Sequence, residues 1–421
     1  MSARVYDEVD ISSTAFWSQP PEQRERSFAV LRRERPVSWH RPAEGGLVPQ
    51  DSVDPGYWAV VRHEDVVAVS RNAQTFCSGR GVMFEDIPEE INEAATSFLA
   101  MDAPRHATLR RLVASAFTVR QVARIEERIR VLARALVTEL APLGECDLVA
   151  QVSERLPVLT LSEMLGVAPA DRELVARAAN DMVGWNDPEL VGGREPIELT
   201  YEALLSLLGV ALRMAEERRR RPGDDLMTAL VQAEVEGDRL TDEEVGAFFV
   251  LLNVAGNDTT RHTISHGVRL LTEHPEQRRR LMDDFGDRID GAVDEILRWS
   301  TPVMTFRRTV TRDAELRGQR IAEGDKVVLF YSAANRDARA FDHPERFDIL
   351  RHPNPHVGFG GGGPHFCLGF SLARAELRAI FDEMLHRVPD IEAGPPQYLG
   401  GNFMNGIKRL PVRFTPTGPR G

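Results

Sequence analysis

The densest chemical signal is one glycine-rich stretch, Gly358-Phe359-Gly360-Gly361-Gly362-Gly363-Pro364-His365-Phe366-Cys367-Leu368-Gly369. Four consecutive glycines permit positive φ and let the backbone approach a flat ligand closely. Cys367 stands at the mouth of a helical pattern whose apolar face carries Leu377, Phe381, Met384 and Val388. Amides near a helix N-terminus favour a thiolate there. A buried structural cysteine is one reading of such a residue. A nucleophile with His365 as its base is a second, but a histidine two residues earlier is rarely oriented for that task and no third orienting group is evident. An axial thiolate to haem iron accounts for the whole twelve-residue string.

A second cluster lies about 110 residues earlier, in Ala255-Gly256-Asn257-Asp258-Thr259-Thr260. Small Ala255 and Gly256 would leave room above a cofactor. Glycine and threonine inside a helix weaken its hydrogen bonding and predict a kink or π-like bulge. The adjacent acid and alcohol, Asp258 and Thr259, are suited to moving protons; an outward-facing polar patch is the alternative. A third feature, Glu295 and Arg298, places an acid and a base three apart on one helix face, and by itself occurs often by chance.

Taken in order, these segments resemble the cytochrome P-450 superfamily, whose haem-binding loop has the general form FxxGxxxCxG. The resemblance covers nearly the full chain. It implies a mainly α fold with small β-sheets, with haem b (iron protoporphyrin IX) between a long central helix and the Cys-loop helix. By the same resemblance Cys367 is the axial iron ligand, and Asp258 and Thr259 manage protons. Phe359, Ala255 and Gly256 would sit against the cofactor. His106, Arg110, Arg308 and His365 are implied as partners of the haem propionates, with Arg307 a rival to its neighbour Arg308. The family's third charge partner for Glu295 and Arg298 is an arginine of a PERF-like segment, here Arg346 of Pro344-Glu345-Arg346-Phe347. Substrate contacts are implied at Val82, Met83 and Phe84, at Val254, at Val303 and Met304, and at Phe403 and Met404, all apolar and suited to a hydrophobic ligand.

Two departures narrow the resemblance. Phe359 lies eight residues before Cys367, where the commonest pattern has seven, and the family often has an acid where Arg105 stands. The extra glycine, with Asn402-Phe403-Met404-Asn405-Gly406-Ile407-Lys408, resembles bacterial members that hydroxylate steroid side chains and methyl-branched lipids. Terpenoid and alkane hydroxylases share parts of this pattern, and tailoring of secondary metabolites is a further alternative. A peroxide-using relative would lack the acid–alcohol pair, and a non-catalytic haem sensor is the alternative from another class. No flavin or nicotinamide module is recognisable, so electrons are expected from a ferredoxin and its reductase. Arg110, Arg111, Arg120, Arg124 and Arg374 are candidates for a basic docking patch.

The positioning elements follow from periodicity. Thr241-Asp242-Glu243-Glu244 is a capping box, and the helical pattern behind it runs to about His274 before Pro275, roughly 50 Å at the helical rise. Residues from about 104 to 300 read as helical. Strand-like spacing marks β-rich portions at about 30–65 and 303–335, with turns at Arg317-Gly318-Gln319 and Glu323-Gly324-Asp325. One domain spanning 1–421 is expected. The net charge is −12 and only two lysines occur, Lys326 and Lys408, which argues against nucleic-acid partners. Three scattered cysteines support neither a disulfide framework nor a four-Cys zinc site and fit a reducing, cytoplasmic setting. The best apolar run, Ala247 to Gly256, has half the length a membrane span needs, about 20 residues.

Overall fold

The computed structural model describes residues 4–45, 47, 55–88, 91, 97–115, 119–185, 187–235 and 237–418. Its principal helices are α1 (Pro21–Glu34), α2 (His63–Arg71), α3 (Arg105–Ser115), α4 (Val119–Leu140), α5 (Arg155–Leu165), α6 (Arg172–Val183), α7 (Pro196–Arg220), α8 (Asp242–Glu273), α9 (Phe285–Ser300) and α10 (Phe370–Arg387). A five-stranded sheet is built from β1 (Val37–His40), β2 (Tyr57–Val60), β3 (Phe76–Cys77), β4 (Thr305–Val310) and β5 (Lys326–Phe330), in the order β1-β2-β5-β4-β3. The β2–β5 pair is parallel and the other pairs are antiparallel.

Helix α8 has the expected capping box. The Glu244 amide donates to the Thr241 hydroxyl at 3.2 Å, and the Thr241 amide donates to the Glu244 carboxylate at 3.0 Å. The helix runs unbroken for 32 residues, about 48 Å. The anticipated kink or bulge does not form. Thr259 instead donates its hydroxyl back to the Ala255 carbonyl at 2.8 Å within regular helix, and the described π-helical turn lies at Val149–Ser153.

The two halves of α8 bury in different cores. Val245, Phe248, Phe249 and Val250 pack with α3, α5 and α7. Ile264, Val268, Leu270 and Leu271 pack with α4, α9 and α10. Each such side chain is worth about 1.5–3 kcal/mol on full burial, so both ends are anchored and the small, polar segment between them is held across the molecule. A Cβ on Gly267 would lie 2.3 Å from the Phe381 ring, so a glycine there is what lets α10 approach α8.

The β-rich portion near 303–335 forms as expected, as β4, the hairpin Ala314–Leu316 with Gln319–Ile321, and β5. In the portion near 30–65, residues up to Glu34 belong to α1. The helical reading of 104–300 is interrupted by a short strand, Glu145–Asp147, and by the hairpin Glu234–Val235 with Asp238–Arg239. Among the described residues no helix is long and apolar enough to cross a membrane.

Candidate active site

The glycine run adopts the conformation that only glycine reaches cheaply: Gly360, Gly362 and Gly363 have φ of 96°, 87° and 78°. The close approach it makes is to α2. A Cβ on Gly363 would stand 2.6 Å from the Ser70 carbonyl oxygen, and one on Gly361 would lie 2.5 Å from the Ser70 hydroxyl. The loop then folds back, with the Cys367 amide donating to the Phe359 carbonyl at 3.0 Å. The Phe359 ring packs beside His356 and under the Arg374 guanidinium, 5.7 Å from its centre. Cys367 lies just ahead of α10. Burial pushes its thiol up, opposed by the Gly369 amide and the Arg110 cation; coordination to a metal deprotonates a thiol outright.

Four basic side chains gather at this loop. Arg110 donates to the Phe366 carbonyl at 2.6 Å. The His106 and His365 rings lie 4.3 Å apart, and His106 Nε2 is buried without a partner. Arg307 and Arg308 are both buried but point to opposite faces of β4. Arg307 pairs with Asp86 at 2.6 Å, whereas Arg308 donates to the Arg307 carbonyl at 2.7 Å. Among the described residues neither Arg110 nor Arg308 has a carboxylate within ion-pair distance. Burial first, then Arg308, His106 and Arg110, lower the His365 pKa to about 3. Buried cations without acids are costly unless an anion completes them. A group with two carboxylates beside an axial thiolate fits this donor set.

On α8, Asp258 and Thr259 line an apolar cavity together with Val254 and Ala255. Asp258 is 3% exposed. One of its oxygens lies 3.5 Å from Arg261, and Oδ2 is buried without a partner among the described residues. Burial raises its pKa to about 6, Arg261 opposes that, and Glu154 adds to it. Arg261 also donates to Asn180 at 3.2 Å, and Asn180 donates to Glu154 at 2.7 Å. The Glu154 side chain is 33% exposed, so a polar chain joins the buried acid to solvent. Gly256 does not open space in the cavity. It faces α5, where a Cβ would stand 2.8 Å from Leu161.

Val82, Met83, Val303, Phe403 and Met404 line the same cavity, as do Ile87, Met182, Trp185 and Phe306, which the sequence reading did not single out. Two of the substrate candidates turn elsewhere. Phe84 packs edge-on to Tyr57 at 4.7 Å in an aromatic core with Trp17 and Phe330. Met304 is buried in that core, with its sulfur accepting from Arg24 at 3.2 Å.

Behind the loop, Glu295 and Arg298 are both fully buried and doubly bonded, at 2.7 and 2.8 Å. The third partner is Arg351, whose Nε lies 3.1 Å from Glu295. This corrects the expectation of Arg346, whose side chain is 70% exposed and which supplies only its carbonyl, to Arg298 at 3.0 Å. The expected basic docking patch is also altered. Arg110 is turned inward, Arg124 pairs with Asp224, and Arg374 pairs with Asp294 at 2.6 Å. Arg111 is exposed, and the side chain of Arg120 lies outside the described residues.

Sequence reasoning missed Arg261, Asn180 and Glu154; the i, i+3 spacing from Asp258 was a signal for Arg261, whereas Asn180 and Glu154 come from distant segments with no local motif. It also missed Glu376 of α10, a buried acid whose pKa is pushed up to about 8 by burial, against hydrogen bonds from Thr160 and Thr260. Its position nearly two turns into the Cys-loop helix was the available signal.

The fold and this cysteine loop match a class of haem-dependent oxidoreductases. The cytochrome P450 family profile matches residues 210–388. The chain is 41% identical over 412 residues to the methyl-branched lipid omega-hydroxylase of Mycobacterium tuberculosis (strain ATCC 25618 / H37Rv), covering 97% of this chain and 95% of the relative. It is 41% identical over 396 residues to the steroid C26-monooxygenase of Rhodococcus jostii (strain RHA1), covering 92% and 81%. A solved structure, a Mycobacterium marinum cytochrome P450 in complex with pseudoionone, superposes with a TM-score of 0.95 at 57% identity, covering 98% of this chain and 100% of that one. The chain belongs to the cytochrome P450 family. It is a P450 monooxygenase, and its cofactor is haem b.

Proposed function

We propose that this P450 hydroxylates an unactivated C–H bond of a lipid- or steroid-sized apolar molecule, and that residues 1–421 act as one domain. The observation that carries the reading is the cavity itself: an apolar enclosure of Val82, Met83, Val303, Phe306 and Phe403 that meets an acid–alcohol pair at one side. Apolar walls discriminate by shape and desolvation, which suits a substrate with few polar groups. The names of the two relatives, a branched-lipid and a steroid hydroxylase, support the same class.

Cys367 would hold the haem iron, with Phe359 packed against the same loop. His106, Arg110, Arg308 and His365 are assigned to the propionates, because Arg110 and Arg308 are cations with no carboxylate within ion-pair distance among the described residues and the two imidazoles beside them can add hydrogen bonds. Haem supplies oxygen activation when bound. The chain's own contribution is to proton supply. Burial raises the Asp258 pKa to about 6, which lets the carboxyl take up and release a proton near neutral pH. The Thr259 hydroxyl already donates to Ala255, which leaves its oxygen free to accept from the cavity side. Solvent replenishes Asp258 through Glu154, with Asn180 and Arg261 holding the two acids in line. Electrons come from a ferredoxin and its reductase, docking beside the Cys loop near exposed Arg111 and Phe370.

Two experiments test the assignment. The reduced wild-type protein with carbon monoxide should give the red-shifted thiolate band, and Cys367→Ser should abolish it; a retained band and retained turnover would refute the ligand. A Soret-shift screen of steroids, methyl-branched fatty acids and pseudoionone should show a spectral response to the first two classes. A response to pseudoionone alone would replace the lipid reading with that of the Mycobacterium marinum relative's ligand.

A further inference from the structure

Three of the cavity's walls carry a buried polar residue directly beside their apolar lining. Glu85 lies between Met83 and Ile87, Arg307 follows Phe306, and Asn402 precedes Phe403. All three polar residues are buried. Asn402 Nδ2 donates to one Glu85 oxygen, joining the segment around Met83 to the segment around Phe403. Glu85 Oε2, Asn402 Oδ1 and Arg307 Nε have no partner among the described residues. Leaving such groups buried is expensive, and an apolar pair of similar volume would avoid the cost.

The surroundings are tied in the same way. Arg307 bonds to Asp86 at 2.6 Å and to the Arg80 carbonyl at 2.8 Å, and its amide donates to the Val82 carbonyl at 2.8 Å. Lys326 reaches Asp86 at 2.6 Å. Thr305 donates to the Asn402 carbonyl at 3.1 Å. Burial raises the Glu85 pKa, against Asn402 and the Arg307 cation.

We infer that Glu85, acting through Asn402, is a positioning residue that sets which carbon of the substrate is oxidised. Met83 has a long, pliable side chain, and apolar contacts alone let two wall segments slide past each other. A directional carboxyl–amide bond fixes their spacing. Neighbouring carbons of a chain differ in position by little more than an ångström, a displacement that is decisive for a reacting centre. The inference rests on the wall assignment made above.

The test uses the purified holoenzyme with a ferredoxin–reductase pair, and pseudoionone and 15-methylhexadecanoic acid as probes, with products separated by mass spectrometry. Glu85→Val and Asn402→Ala should each change the ratio of regioisomers by about fivefold or more, and the double variant no further than the larger single change. Glu85→Gln, which keeps the bond to Asn402, should hold the wild-type ratio to within about twofold. Haem content and the carbon monoxide band should be unchanged throughout. An unaltered ratio in Glu85→Val and Asn402→Ala overturns the inference. So does loss of haem in both, or a Gln variant as altered as the Val variant. Met83→Trp and Phe403→Ala separate the two layers. If neither alters binding or products, the wall assignment itself fails; if they do while Glu85→Val does not, the inference alone fails.

Discussion

Glu295 and Asp258 are both buried carboxylates beside an arginine three residues along a helix, and they are held in opposite ways. Glu295 has no exposed surface and is saturated. It accepts from Arg298 twice, from Arg351, from the Asp348 amide at 2.9 Å and from Asn354 at 3.1 Å. Asp258 has one oxygen at a loose 3.5 Å from Arg261 and the other without a partner. Arg261 is shared with an acid at the surface. Saturation holds the side chain in one place and makes a scaffold. Incomplete satisfaction leaves a proton free to come and go at small cost, which is what a relay requires. The sequence spacing, i and i+3, is identical in the two cases.

Breaking the saturated cluster should have the largest effect. Arg298→Ala leaves Glu295 buried without its principal partner and should cost about 3–5 kcal/mol, read as a lower denaturation midpoint with loss of haem. A loss under about 1 kcal/mol would mean that Arg351 alone satisfies the acid.

Replacing the unsaturated acid should leave the fold and alter the chemistry. Asp258→Asn should reduce kcat about 10–100-fold, with an increased solvent isotope effect and an unchanged Soret shift on ligand binding. A kcat within twofold of wild type would remove Asp258 from the relay.

Glu376 sharpens the comparison through pH. Its folded pKa of about 8 stands above the ordinary value of 4.5, so the folded state holds a proton that the unfolded state has released. Stability therefore falls as pH rises from 4.5 to 8 and levels off above that. Glu376→Gln should flatten this decline and raise Tm by about 2–4 °C at pH 8. An unchanged Tm profile would show the group ionised at little cost.

The smallest effect belongs to Arg346. Its exposed side chain stands apart from the cluster, and Arg346→Ala should change stability by less than about 0.5 kcal/mol. A loss comparable to that of Arg351→Ala would restore the arginine that the motif nominated.

The sequence by itself determined whatever depends on neighbours within about one helical turn. The Thr241 capping box, the length of α8, the Glu295–Arg298 pairing and the glycine conformations ahead of Cys367 are all set by local sterics and hydrogen-bond spacing, and all can be read from residue order. The two-residue period of β4 likewise places Arg307 and Arg308 on opposite faces, but not which of them faces the Cys loop. Only the tertiary structure decided that, and that Arg351 rather than Arg346 completes the cluster. It also decided that Phe84 and Met304 enter an aromatic core, and that Gly256 serves the contact with Leu161. These outcomes depend on segments tens to hundreds of residues apart, and loops have no period to reveal which way a side chain turns. Their partners are chosen when the layers pack, because burial makes each unmet polar group and each unfilled volume costly only at that stage.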